Sequence, residues 1–292
     1  MLSKYKHHLW LHLVILIFGF TGVFGKLIHA DSYLLVWYRV GIALLTLTIF
    51  FAIIKHKINI KNKHTFRILL VGVIIAAHWI TFFESIKQSN VSIALVYFSS
   101  STLFTSLIEP FYFKRRIKPY ELILGVIIII GLSFIFSFEI SHYIGMILSI
   151  ISAALASWFT VLNGILIKEN DAKTISYLEL ISAFVTVSAV LIFTKSPTFE
   201  SFSIIKSDIL WLLLLGTICT AFAFIVSIEV MKKISPYTVT MSVNLEPIYS
   251  IILALLIWPE SETMSAGFYA GAGIVISTII LNAYLKGKEL YR

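Results

Sequence analysis

Residues 114–138 read Lys-Arg-Arg-Ile-Lys-Pro-Tyr-Glu-Leu-Ile-Leu-Gly-Val-Ile-Ile-Ile-Ile-Gly-Leu-Ser-Phe-Ile-Phe-Ser-Phe. Lys114, Arg115, Arg116 and Lys118 crowd one short loop, and residues 119–138 then carry no charge except Glu121. A bilayer core about 30 Å thick is crossed by about 20 apolar residues in a helix. Pro119 suits the first turn of such a helix, where its missing N–H would have had no partner. The stretch therefore reads as a basic loop followed by a membrane span.

The rest of the chain repeats this grammar. Of its 292 residues 59% are hydrophobic and 13% are charged, against about 45–50% and about 25% in soluble domains. Lipid must therefore be the solvent for most of it. Ten apolar runs are found, at 9–28, 33–54, 66–86, 91–113, 119–138, 143–167, 175–194, 209–231, 236–258 and 265–285. Between them no loop is long enough to fold as a soluble domain. Pro197, Pro236 and Pro259 sit beside run ends, while Pro110 and Pro247 fall inside runs. The first run follows Lys4 and Lys6 but lacks a small-residue cleavage site, so it is expected to stay as a span rather than leave as a signal peptide. The single cysteine, Cys219, excludes a disulfide framework and any cysteine-based metal centre.

Charge gives the orientation. With ten spans, 18 basic residues fall on one side: Lys4 and Lys6, the groups at 55–67, 114–118, 168–173 and 232–233, and Lys286, Lys288 and Arg292. Lys26, Lys87, Lys195 and Lys206 fall on the other, with Arg39 inside the second span. Cytoplasmic loops carry the excess of Lys and Arg, so both termini are expected in the cytoplasm of a bacterial-type inner membrane. The formal charge of +8 is thus a topology signal and not a sign of a nucleic-acid partner.

The two halves overlay. An offset of 140 residues brings Phe18 onto Trp158, Arg39 onto Glu179 and Ala43 onto Ala183, and an offset of 146 brings Lys87, Ser89 and Gly125 onto Lys233, Ser235 and Gly271. Five spans per half make the second half enter the membrane upside down, the inverted-repeat plan of many secondary transporters. The expected fold is all-α and integral to the membrane, ten transmembrane helices in two inverted five-helix repeats at 1–140 and 141–292.

At this point the chain resembles the drug/metabolite transporter superfamily, in the ten-span form with two EamA domains. The resemblance rests on Gly19 through Lys26, Trp37-Tyr38-Arg39, Asn244-Leu245-Glu246-Pro247 and Trp258-Pro259-Glu260. The chain departs from the pattern where Phe18 replaces a frequent Trp and Lys114-Arg115-Arg116 replaces an acidic end to span 4. The resemblance implies a carrier whose spans 3, 4, 8 and 9 surround a central cavity, and it favours export of amino acids or related metabolites.

Polar residues inside lipid call for a reason. Glu246 lies near the middle of span 9, and the following Pro247 cannot donate to the carbonyl of Val243, so the site offers a carboxylate beside a free acceptor. It reads either as a substrate-amine or proton site or as a structural bond at a kink. His78, Trp79 and Phe82 of span 3 share one helical turn, and Tyr97, Ser100, Ser101 and Phe104 of span 4 form a polar-aromatic stripe. Trp158 and Asn163 of span 6, Phe222 of span 8 and Asn244 of span 9 complete the expected substrate-binding set. Arg39 and Glu179 lie about one turn inside their spans, where long side chains snorkel, and with Pro247 they are expected to be structural or gating. Glu84, Glu109 and Glu229 are expected at solvated span ends. Glycines at 19, 22, 25, 125, 131, 267 and 271 read as packing positions.

No His or carboxylate stands near His78 at metal-ligand spacing, and no metal or cofactor is expected. The sequence holds no Walker A motif and no D-x-x-x-D or D-D-x-x-D cluster, which argues against ATP hydrolysis and against a lipid or prenyl transferase. An uptake carrier or facilitator stays as an alternative to the exporter. The expected partners are a small-molecule substrate, the bilayer and protons as the coupling ion, with no obligate protein partner.

Overall fold

A computed structural model describes residues 2–58, 63–194 and 202–290, and these contain helices and no strand. Span 1 is Leu2–Leu27, span 2 Ser32–Ile53, span 3 Thr65–Gln88, span 5 Pro119–Phe138, span 6 Tyr143–Leu166, span 7 Ala172–Thr194 and span 10 Ala266–Leu290. Spans 4, 8 and 9 are interrupted. Span 4 joins Val91–Phe98 to Ser101–Phe113, span 8 runs from Lys206 to Val230 through a wide π-turn at Thr217–Phe222, and span 9 joins Pro236–Val243 to Glu246–Ile257. Nine of these are long and apolar enough to cross a bilayer over the described residues, and the tenth is apolar over Ala266–Asn282. Lys61, Lys195, Pro197 and Arg292, used above for topology and boundaries, lie outside the described residues.

The repeat extends to the helix caps. Asp31 caps span 2 by accepting from the N–H groups of Tyr33 and Leu34. Asp171, 140 residues on, accepts from Thr174 N–H at 3.0 Å to cap span 7. Short acceptors at this position satisfy the orphan donors of the first turn. Because the caps match, Arg39 and Glu179 are each the eighth residue of their helix.

Packing between the halves is reciprocal too. Gly72 of span 3 lies against the Glu179 carbonyl and Ser182 of span 7, while Gly216 of span 8 lies against the Arg39 carbonyl and Ile42 of span 2. Ile42 and Ser182 are themselves 140 apart. A Cβ at Gly72 would stand 2.4 Å from the Glu179 carbonyl, so only glycine permits this approach. Lipid offers no hydrophobic drive for helices to pair, and close backbone approach supplies the dispersion contact instead. Spans 5 and 10 pack on each other behind the bundle, Gly131 against Gly271. The large core contains Leu35, Val40, Ile75, Phe83, Leu95 and Leu180 from both halves.

Candidate functional site

The breaks in spans 4 and 9 place polar groups in the middle of the bundle. In span 9 Pro247 is the second residue of Glu246–Ile257, so the helical ladder cannot be completed back to Val243. In span 4 no proline stands at the break, Pro110 lying further along the second segment; the turn falls at Ser99-Ser100, where Ser99 Oγ donates back to the Leu95 carbonyl at 3.2 Å. Asn244 latches one break to the other. Its Nδ2 donates to the Ser99 carbonyl at 3.2 Å and to Thr102 Oγ1, and its Oδ1 accepts from Ser101 Oγ at 3.2 Å. An amide at this point satisfies a carbonyl that the break released, which apolar surroundings would otherwise penalise.

Beside the latch lies a cavity with about 940 Å³ of atom-free space, part of it open. Its walls come from spans 1, 2, 3, 4, 6, 8 and 9. The lining runs from the breaks toward the end of the bundle that holds Leu11, Met231 and Val239. Arg39 and Glu246 face this cavity, 3% and 5% exposed, and among the described residues no ion pair joins them. Arg39 Nε donates to Thr220 Oγ1 at 2.7 Å, and Thr220 donates in turn to the Leu215 carbonyl at 2.7 Å. Thr220 stands in the π-turn of span 8, a bulge of the kind that re-aims side chains at functional positions. The guanidinium carbon lies 4.3 Å from the Trp79 ring centroid, and Nη1 has no hydrogen-bond partner.

Aromatic rings complete the wall. His78 is 5.4 Å from Phe159 and 5.7 Å from Phe98, and Trp79 is 5.9 Å from Phe224, centroid to centroid. His78 Nδ1 lies 3.1 Å from the Ser152 carbonyl. Ser152 Oγ is nearer still, 2.8 Å from Nδ1, and the donor and acceptor roles of the ring follow its tautomer.

Of the residues expected at the site, the cavity gathers His78, Trp79, Phe82, Ser101, Asn163 and Glu246. Asn244 is buried in the latch, with Ser100 at the facing break and Pro247 one residue beyond Glu246. Three residues lie elsewhere. Tyr97 turns away and donates to the Leu132 carbonyl of span 5 at 2.7 Å. Trp158 is 43% exposed on the outer surface with its Nε1 on Tyr112 Oη, and Phe222 is 41% exposed against Trp10. A single helix face is about 100° wide, so spans read by position alone cannot say which aromatic turns inward.

The snorkelling open to an arginine at position 39 is not what the structure shows. Arg39 is a cavity residue, and Glu179 is fully buried behind Asn163. Glu109 also departs from the solvated end expected of it. It is buried and binds Arg115 Nη2 at 3.0 Å, while Arg115 Nη1 binds Glu121 at 2.9 Å. Missed by the sequence reading were Thr21, Phe159, Thr160, Phe224 and Thr240 on the cavity wall. Phe159 was in reach, because it directly follows Trp158.

The far end of the bundle is tied shut. Glu262, fully buried, accepts from Lys26 Nζ at 2.7 Å, Val91 N–H at 3.1 Å, Ser92 N–H at 2.9 Å and Ser92 Oγ at 2.7 Å. One carboxylate thus caps span 4 and binds span 1. Lys26 also covers the Trp258 ring at 4.7 Å. Nearby, Asp208 accepts from the N–H groups of His29 and Ala30.

Comparison with known proteins places this architecture. No curated protein matches the sequence. One protein of known crystal structure superposes with a TM-score of 0.71 over 96% of this chain and 98% of its own, at 13% identity, a likeness of fold alone. The model of the EamA-like transporter family matches residues 6–137 and 143–284, once for each half of the bundle. The chain is a multi-pass membrane protein and belongs to the EamA-like transporter family, within the drug/metabolite transporter superfamily.

Proposed function

We propose that this transporter exports a zwitterionic metabolite of the amino-acid class from the cytoplasm by alternating access. The observation that carries the reading is the pair Arg39 and Glu246, a basic and an acidic side chain facing one aromatic-walled cavity with no ion-pair contact between them among the described residues. An α-carboxylate would take the unpartnered Nη1 of Arg39, and an ammonium the Glu246 carboxylate. Trp79, Phe98, Phe159 and Phe224 would pack an apolar side chain. Two charges left half-satisfied in lipid are costly, and a substrate carrying both complements supplies what they lack. His78, Phe82, Ser101, Asn163 and the latch residue Asn244 position it, with Ser100 and Pro247 setting the breaks.

The basic residues near Leu11 and Met231 support a reading in which the cavity side and both termini face the cytoplasm of a bacterial-type inner membrane. The tie at Glu262 is then the outer closure. Residues 1–140 and 141–292 are the two units that rock against each other, with protons as the coupling ion. Counterflow in proteoliposomes tests the reading. Labelled amino acids should exchange saturably, and Arg39→Gln and Glu246→Gln should each lower exchange by at least about tenfold. Absence of exchange across all amino acids in folded wild-type protein would overturn it.

A further inference from the structure

Glu179 has no role in the reading above, and its surroundings are unusual. Its side chain is fully buried within span 7. The contact it makes is with Asn163, whose Nδ2 donates to Oε2 at 3.4 Å, a long bond. Oε1 has no partner, and neither has Oδ1 of Asn163. Two buried oxygens on a pair of contacting side chains are therefore left over, both acceptors. A proton supplies the missing donor: a carboxylic acid at 179 can donate to Asn163 Oδ1, and one O–H then satisfies both atoms.

Among the described residues no other group donates to either oxygen, Ser176 Oγ one turn earlier being itself without a partner. On span 3, His78 is engaged by Ser152, and Arg67 lies in the first turn. On span 2, Arg39 is held by Thr220 and Tyr38 donates to the Phe202 carbonyl. On span 8, Cys219 is directed to the Ile17 carbonyl and Glu229 pairs with Lys232. On span 7 itself Tyr177 meets Thr48, and Lys173 lies in the first turn. Span 6 contributes Asn163, and Lys168 beyond its end covers the Phe113 ring.

Asn163 also lines the cavity, which makes it the partition between Glu179 and a bound substrate. From this placement we infer that Glu179 is the coupling-proton site, and that Asn163 makes proton and substrate compete. With Glu179 ionised, Asn163 Nδ2 is turned to the carboxylate and Oδ1 is free to accept from a substrate ammonium. With Glu179 protonated, its O–H occupies Oδ1 and the negative charge behind the cavity wall is gone. Substrate arrival then expels the proton from Glu179 to cavity water as H⁺, leaving the carboxylate, and the reverse occurs on substrate release. Linkage makes the effect mutual, and it couples outward substrate movement to inward proton movement. The inference rests on the amino-acid reading for its substrate but not for its proton.

Two measurements separate the parts. Infrared spectra of purified protein at neutral pH should show a protonated carboxylic C=O band that is lost in Glu179→Gln and kept in Glu246→Gln. Affinity for an exchanged amino acid should rise with pH in wild type, approaching about tenfold per pH unit below the midpoint of the acid, with about one proton released per substrate bound. Glu179→Gln should bind at the weak, low-pH level of the wild type at every pH and release no proton, whereas Glu179→Asp should retain a pH-dependent affinity. Unaltered pH dependence in a folded Glu179→Gln, or a wild-type spectrum without the band, would overturn the assignment. If no amino acid binds while the band depends on Glu179, the proton site stands and the substrate reading falls.

Discussion

Arg39 in span 2 and Glu179 in span 7 occupy the same place in the two halves, eighth in helices with matching aspartate caps. Arg39 reaches the cavity, bonded by the π-turn of span 8 and stacked on Trp79. Glu179 stops short of it, screened by Asn163. The difference arises in the span that faces each residue. Span 8 carries a wide turn where it meets Arg39, whereas span 3 runs as an unbroken helix past Glu179. An inverted repeat thus supplies two equivalent backbone positions, and local irregularity decides which one faces the cavity. The sharpest break to this comparison is Arg39→Gln. It should abolish exchange by about a hundredfold or more at every pH, because a transition that needs a paired carboxylate has lost its partner, while Glu179→Gln should alter the pH profile. Counterflow of both variants across about pH 5.5 to 8 checks this, with thermal unfolding to verify folding. Equivalent profiles for the two would remove the distinction.

The aromatic residues sharpen the same contrast one level down. Trp158 is the repeat counterpart of Phe18, yet Phe18 lines the cavity and Trp158 is on the outer surface. Trp79→Ala and Phe159→Ala should lower substrate affinity by about tenfold, since each loses ring surface from the wall. Trp158→Ala and Phe222→Ala should stay within about twofold. Binding isotherms on purified protein measure both pairs, and an equal loss from Trp158→Ala would put the site on the wrong face of span 6.

Much of this was legible in the chain, and the remainder was not for identifiable reasons. Most span ends fell within a few residues of their places because lipid thickness and proline set them, while the first and last helices run on past the apolar stretch, to Leu2 and Leu290. The break at Glu246-Pro247 announced itself through proline, whereas the break at Ser99-Ser100 has no proline to mark it. The repeat gave Arg39 and Glu179 as a pair but could not give their depths, since depth depends on a π-turn that Thr217–Phe222 forms without a sequence mark. Glu109 was misplaced because Arg115 folds back over the end of span 4, a tertiary contact.

The two ends of the bundle offer the next comparison. At the end tied by Glu262, the carboxylate holds backbone donors of span 4 as well as Lys26. Glu262→Ala leaves those donors unpaired and Lys26 with Ser261 Oγ as its remaining acceptor, and Lys26→Ala removes one donor of several. Cys219, the sole thiol, lines the cavity and reports on it. Glu262→Ala should raise its labelling by an impermeant maleimide added outside by about three- to tenfold, and Lys26→Ala by about two- to threefold. Equal labelling in wild type and Glu262→Ala would deny this tie a gating role.

The opposite end carries the weakest tie. Glu169, just past span 6, binds Lys63 Nζ and His64 Nε2 at 2.9 Å each, joining the two halves through exposed groups. Hydrogen bonds and charge from Lys63 and His64 hold its carboxyl down at about 2. A carboxyl depressed on folding adds stability above its unfolded range and loses it as the pH falls toward about 2. The benefit is therefore full at neutral pH and fades in acid. Because the group is 56% exposed, water and salt screen most of it. Glu169→Gln should lower the unfolding temperature by no more than about 1–2 °C at pH 7, and the gap should shrink at about pH 3 and in high salt. Glu262→Ala, at a fully buried site with several donors, should cost more at pH 7. If Glu169→Gln proved the more destabilising, the asymmetry between the buried tie at Glu262 and the exposed tie at Glu169 would be reversed, and the closure proposed at Glu262 would fall.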